Sequence, residues 1–276
     1  MKRTCLCVLG MIACVALTTS RLAAETVVDR AWATLQPGLA PKGTDRVIAV
    51  RVLGLLENNS KAAQIAIAAL DDEKPEIQIA AADALGQMKA KSALPQLKAH
   101  LKADTEAGVA IADARALIAL GDVSGYGVFY AILTGEKKSG DSLLESQKKM
   151  LKDPKQMAQI GFDVGIGFIP FASLGVGAFK TLTKDDISPV RAAATRILAK
   201  DPDPKSRDAL VKACSDKSWL VRAAALDSVS HRGDPDLISQ IEPQLTDDKS
   251  AVRYAAAAAI IHLADLSPSG AGSKKR

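Results

Sequence analysis

Val190-Arg191-Ala192-Ala193-Ala194, Val221-Arg222-Ala223-Ala224-Ala225 and Val252-Arg253-Tyr254-Ala255-Ala256 are three copies of one pattern, each 31 residues after the last. A fixed period near thirty residues marks a stacked repeat array, and it governs how the rest of the chain is read. Within a copy the apolar residues recur at i, i+3, i+4, i+7 and i+8: Val190, Ala193, Ala194, Ile197 and Leu198, then Val252, Ala255, Ala256, Ala259 and Ile260. In the middle copy Ser228 takes the i+7 place, while Val221, Ala224, Ala225 and Val229 keep the others. This spacing paints one stripe along a helix, and its alanines allow a neighbouring helix to come close. A second helix follows each first one after a Pro- and Asp-rich break, over Lys205–Cys214 and Asp236–Leu245. Proline and aspartate at those points stop one helix and start the next. Such a hairpin has too little apolar surface to fold alone, and stacked neighbours supply its core.

A polar pattern keeps the same beat. Asp185, Asp216 and Asp247 stand 31 apart, each six residues before Arg191, Arg222 and Arg253. Equivalent positions of stacked units lie side by side, so these acids and bases are placed to bridge as a ladder. Asp-x5-Arg-Ala-Ala-Ala in a hairpin of this length resembles HEAT repeats and their shorter PBS-lyase HEAT-like relatives. The resemblance runs over roughly residues 44–266 and is sharpest in the last third. It implies an all-α solenoid of about five or six hairpins, with the second helices on the concave side. HEAT arrays serve many functions, so the resemblance names no reaction.

Upstream the copies are worn. Residues 44–136 hold three units whose first helices end near Leu53-Gly54, Leu85-Gly86 and Leu120-Gly121. Their second helices are expected over about Ser60–Leu70, Ser92–Lys102 and Gly127–Leu133. The ladder is imperfect here, since Gln78 follows Asp72 and Ala110 follows Asp104 at the six-residue step. Residues 25–43, with Trp32 and breaks at Pro37-Gly38 and Pro41-Lys42-Gly43, read as a lead-in helix capping the outer face of the array. Residues 184–266 carry the three sharp copies.

Residues 137–183 interrupt the array with a lysine-rich amphipathic stretch and then a Gly-rich apolar insertion. Four of the chain's five phenylalanines lie in 160–179. That stretch fits a degenerate repeat whose glycines let backbones pack closely, a partner-binding insertion, or a membrane contact. Val164–Phe179 is 16 uncharged residues broken at Pro170, short of the ~20 needed for a span.

Residues 1–24 read as a secretion signal: Lys2 and Arg3, an apolar run from Cys5 to Leu17, and small residues at a cut after Ala24. A lipoprotein modified at Cys14 is the alternative. The expected location is the periplasm or cell envelope. Removal of this segment takes Cys5, Cys7 and Cys14 and leaves Cys214 alone, so the rest of the chain has no internal disulfide. Cys214 occupies the place of Leu245 one unit on and is expected as a buried apolar thiol. The charge also changes. The formal +5 of the whole chain falls to +2 beyond residue 24, and Lys274-Lys275-Arg276 carry three of the remaining cations. The body is therefore near neutral, which argues against a nucleic-acid partner. The tail 267–276 reads as a solvated basic end.

No cofactor, metal or catalytic constellation is expected. His100, His231 and His262 have no His or Cys at ligand spacing, and all three are placed at the C-terminal end of a first helix, where a donor meets free carbonyls. One HEAT-like enzyme group binds iron through His-Glu pairs; here His100, His231 and His262 precede Leu101, Arg232 and Leu263. No Gly-rich loop links a strand to a helix. The expected function is a non-catalytic exported scaffold that binds a protein on its second-helix surface. Gln96, Ala209 and Gln240 fall in one column there, with His100, Ala213 and Gln244 beside it. A HEAT-like enzyme or chaperone-lyase acting on a cofactor-bearing protein, and an envelope factor using 160–179, are the alternatives.

Overall fold

The computed structural model describes residues 25–103, 106–134 and 187–267. The secretion signal, Asp104, Asp185, the insertion 137–183 and nearly all of the basic tail lie outside the described residues. Within them are twelve α-helices and no strand, folded as an α-solenoid. The helices are α1 Val27–Leu39, α2 Arg46–Val52, α3 Ser60–Leu70, α4 Pro75–Gln87, α5 Leu94–Ala103 and α6 Ala107–Ala119. They continue as α7 Tyr126–Thr134, α8 Ser188–Ala199, α9 Pro204–Ala213, α10 Trp219–Arg232, α11 Ile238–Ile241 and α12 Ser250–Leu266.

Local chemistry sets the ends of these helices. Thr26 and Asp29 form a capping box on α1: the Asp29 amide donates to Thr26 Oγ1 at 3.1 Å and the Thr26 amide to the Asp29 carboxylate at 3.1 Å. Asn59 Oδ1 accepts from the Ala62 amide at the start of α3. Pro75, Pro189 and Pro204 stand in the first turns of α4, α8 and α9, where a missing N–H costs nothing. Gly233 closes α10 at φ +70°, a left-handed conformation that a side chain would strain. The second helix expected over Asp236–Leu245 is not continuous. It is a 3₁₀ turn at Pro235–Leu237, the four-residue α11, and a 3₁₀ run over Glu242–Thr246. Pro243 supplies no amide for the ladder of hydrogen bonds there.

The order of the stack in space is not the order of the chain. First helices pack α8 on α10, α10 on α12, α12 on α2, α2 on α4 and α4 on α6. Helix α1 packs against α12 and α2 and takes the second-helix place beside α12. The expected lead-in cap is thus in the middle of the array, and one hairpin is shared between the two ends of the described chain. Several contacts fix this junction. A Cβ on Gly38 would stand 2.7 Å from both Ala49 Cβ and the Tyr254 hydroxyl, so only glycine lets α1 come so near α2 and α12. Asn59 Nδ2 donates to the Asp265 carboxylate at 2.8 Å, tying the start of α3 to the end of α12. Ala31 and Leu35 of α1 are fully buried in the same core as Ala255–Ile260 of α12.

With α12 and α1 counted as one unit, six hairpins stack in the sequence α8/α9, α10/α11, α12/α1, α2/α3, α4/α5 and α6/α7. Alanine dominates the contact faces, as the stripe requires: Ala80, Ala81, Ala82 and Ala84 of α4 and Ala255 to Ala259 of α12 have no exposed surface. The stripe behaves differently in its first copy. Val221, Ala224, Ala225 and Ser228 are buried, and so are Val252, Ala255, Ala256 and Ala259, but Val190, Ala193, Ala194 and Ile197 are exposed. Helix α8 is the outermost first helix at its end of the described stack, so nothing described covers that face.

Candidate protein-binding surface

Second helices α9, α11, α1, α3, α5 and α7 lie in one row, and this row is the surface expected to meet a partner. Neighbouring members touch side by side. Gln244, after α11, donates from Nε2 to the Cys214 carbonyl of the α9 end at 3.2 Å. Arg30 of α1 forms an ion pair with Glu242. Lys61 of α3 places its ammonium 3.8 Å above the Trp32 ring of α1. A cleft of about 700 Å³ opens where α1 meets the α11 unit, lined by Arg30, Ala33, Thr34, Ser239, Glu242 and Pro243 among others.

The side chains singled out from the sequence fall in different environments. Gln96 of α5, Ala209 of α9 and Gln240 of α11 are exposed on this row. Gln244 is half-buried, and its amide is engaged with Cys214 and Ser215 of the neighbouring unit. His100 is in the last turn of α5, a second helix and not a first one. Its Nδ1 lies 2.7 Å from the carboxylate of Asp113, a fully buried acid of α6, so it joins one unit to the next. The remaining histidines do end first helices: His231 Nδ1 is 2.9 Å from the Asp227 carbonyl one turn back, and His262 is half-buried in the last turns of α12.

Beneath this row, at the turns, runs the ladder. Arg191 donates to both carboxylate oxygens of Asp216 at 2.6 and 2.8 Å. Arg222 does the same to Asp247 at 2.7 and 2.8 Å, and also donates to the Asp216 carbonyl of its own unit at 3.0 Å. Arg253 donates to the Asp247 carbonyl at 2.7 Å. Arg222 thus reads the acid of the next unit and the backbone of its own, Arg191 shows the first of these contacts and Arg253 the second. Ala40 stands six residues before Arg46, where an acid would complete the rung from Arg253, so the ladder skips the shared hairpin. It resumes beyond. Arg46 Nε donates to Asp72 at 2.7 Å, and Gln78 keeps the backbone half of the arginine role by donating to the Asp72 carbonyl at 2.7 Å. Burial pushes the Asp216 carboxyl up, but the Ser218 amide and the Arg191 guanidinium outweigh it and hold it below the usual range.

A second charged column was not anticipated. Five residues past the ladder positions 46, 78 and 110 stand Arg51, Asp83 and Arg115, and five past Arg191 and Arg222 stand Arg196 and Asp227; Ala258 follows Arg253 at that step. Arg115 Nη2 bonds Asp83 at 2.8 Å, and Arg196 Nε lies 3.7 Å from Asp227. Burial raises the pKa of Asp83 against the opposing pull of Arg115 and Arg51, and raises that of Asp227 against His231 and Arg196. The signal in the sequence was the alternation of sign at the repeat spacing.

No group of three or more potential metal ligands converges among the described residues. The Cys214 thiol is fully buried and pushed up to about 12 by desolvation, so it is protonated at neutral pH and ill-suited to nucleophilic attack. Among the described residues no helix is long and apolar enough to cross a membrane. The 160–179 stretch considered for membrane contact lies outside them. A family model described as HEAT repeats matches the chain over residues 34–118 and 177–261. The first match begins inside α1, and the gap between the two contains most of the insertion. No curated protein matches the chain.

Proposed function

The chain belongs to the HEAT-repeat family, and from that premise we propose that it is a non-catalytic exported scaffold that binds another protein along its row of second helices. HEAT repeats form helical scaffolds that commonly mediate protein interactions. The observation that carries the reading is the row itself. Exposed Ala209, Gln240, Ala33 and Gln96 lie on the second helices α9, α11, α1 and α5, uncharged and small or amide-bearing, and Ala33 lines the cleft at α1. Amides and small side chains can approach a peptide backbone closely without the cost of stripping water from a charge. The ladder and the buried column lie elsewhere and form their ion pairs within the fold. Residues 1–24 would direct the chain to the periplasm or envelope, where a scaffold with one buried thiol needs no disulfide.

The test is crosslinking in the native envelope, affinity capture and mass spectrometry, comparing the parent with a Gln96→Glu/Gln240→Glu variant. Both positions are exposed, so the variant should melt with the parent. A protein enriched with the parent and at least tenfold depleted with the variant supports the surface. Equal recovery by both, or no recovery by either, contradicts it.

A further inference from the structure

The row of second helices changes character at its α5 and α7 end. Helix α7 exposes Tyr126, Tyr130 and Leu133, at 49, 66 and 84 %. They recur at i, i+4 and i+7 and so form one ridge along the helix. Val123, in the 3₁₀ turn before α7, is exposed as well. Among the described residues no other second helix exposes a large apolar side chain. The neighbouring α5 unit is basic. Residues 88–103 hold Lys89, Lys91, Lys98 and Lys102 and no acid. Lys89 is paired with Glu57, and Lys91, Lys98 and Lys102 are exposed. Residues 123–134 carry no charged side chain. Lys98 Nζ lies 2.5 Å from the carboxylate of Asp122, in the turn that opens the α7 unit, so the lysines and the ridge are side by side. Tyr130 stands 32 residues after Lys98, in the equivalent place one unit on. Elsewhere in the row acids and bases are mixed, as with Lys205, Asp208 and Lys212 on α9 or Asp29 and Arg30 on α1.

We infer that α5 and α7 form the docking site for an acidic segment of a partner protein, anchored by an apolar or aromatic side chain on the Tyr126, Tyr130 and Leu133 ridge and flanked by carboxylates that meet Lys91, Lys98 and Lys102. This rests on the reading of the second-helix row as the binding surface, and names the chemistry of what that surface takes. Charge decides the occupant. A basic segment would set like charges against an acid-free stretch of lysines, at a cost that selects against it. A second copy of the chain, paired symmetrically through this face, would bring the lysines of α5 against themselves. The tyrosines suit an anchor, because each buries a large area with few rotatable bonds and keeps its hydroxyl wet. The lysines stand at the rim, where charge steers association and selects sign.

The test is fluorescence anisotropy on the full chain after residue 24 with two labelled synthetic peptides. One carries glutamates around a central Trp-Ala-Ala-Leu, and the other carries lysines around the same core. The acidic peptide should bind at least tenfold tighter than the basic one and weaken as salt is added. It should lose at least tenfold in Lys91→Glu/Lys102→Glu and in Tyr130→Ser/Leu133→Ser. All four positions are exposed, so both variants should melt with the parent. Equal binding of the two peptides, or no binding of the acidic one, overturns the proposal and leaves the row itself to the crosslinking test. Acidic-peptide binding that survives both variants but is lost in Gln240→Glu overturns this site and keeps the row. Binding that survives all three variants overturns both. Binding to phosphatidylglycerol vesicles in place of the acidic peptide overturns it in favour of a membrane surface. Maleimide labelling of Tyr130→Cys at least tenfold slower than Gln240→Cys, with no peptide present, also overturns it, because the ridge is then already covered.

Discussion

Arg222 grips Asp247, twenty-five residues away, with both ends of its guanidinium, Nε to Oδ2 at 2.7 Å and Nη2 to Oδ1 at 2.8 Å. The pair is mostly shielded, at 14 % and 11 % side-chain exposure. It joins the α10 unit to the loop before α12, while the same guanidinium holds its own loop at Asp216. Arg222→Ala should therefore cost about 3 kcal/mol, since it strands a shielded carboxylate and frees a backbone carbonyl. Arg253→Ala, which loses a carbonyl bond and no rung, should cost about 1 kcal/mol. Urea unfolding of the two variants measures the order. Equal losses would contradict the ladder as the inter-unit tie.

Gly38→Ala should destabilise the protein by about 2 kcal/mol, because the new methyl meets Ala49 and the Tyr254 ring 2.7–2.8 Å away in a packed core. Alanine usually favours a helix over glycine, so a neutral or stabilising outcome in a thermal melt would mean that α1 is not pressed between α2 and α12.

Acid should weaken the junction through His262. Burial pushes its pKa below the ordinary value; Glu57 and Asp265 oppose this, and neighbouring His231 reinforces it. Between the depressed folded value and the unfolded value near 6.5, the unfolded chain binds more protons, so stability falls as pH drops through that window. His262→Gln removes this term. Relative to the parent, the variant should gain in urea midpoint between pH 7.5 and pH 5. A constant difference across that range would contradict the assignment.

Cys214 should resist a thiol reagent at pH 8 in the folded protein and react within seconds once unfolded, because its pKa is pushed up to about 12 and its sulfur is fully buried. Labelling against urea should superimpose on the unfolding curve followed by circular dichroism. Reaction well before that curve would show that the α9 end opens on its own.

The period of 31 made the hairpin, the stripe and the Asp/Arg spacing legible, because each is a local relation repeated down the chain. Stacking order was not legible. A repeat states what its neighbour must look like, not which neighbour it takes, and α1, the first of the described helices, has the apolar face of a second helix. Trp32, Ala31 and Leu35 read equally well as a cap or as an interior helix. The break at Pro243 was visible as a proline, yet the apolar spacing around it suggested a continuous helix. His100 was misplaced by grouping it with His231 and His262, although it falls inside the second helix expected over Ser92–Lys102, and its partner Asp113 lies on the next unit's first helix. The alternation of Arg51, Asp83 and Arg115 was present at the repeat spacing but masked by the weak ladder in the same half.

The surface proposed for binding is continuous only if α1 sits between α11 and α3, so its place is the point to test. Leu35→Ala opens a cavity at a fully buried position of α1 and should cost about 3 kcal/mol. Hydrogen exchange followed by mass spectrometry would compare this variant with the parent. Faster exchange in 250–266, more than two hundred residues away, together with 46–55, and little change in 107–119, is the expected result. Faster exchange confined to residues 27–70, with 250–266 as protected as in the parent, would contradict the shared hairpin and the binding surface built on it.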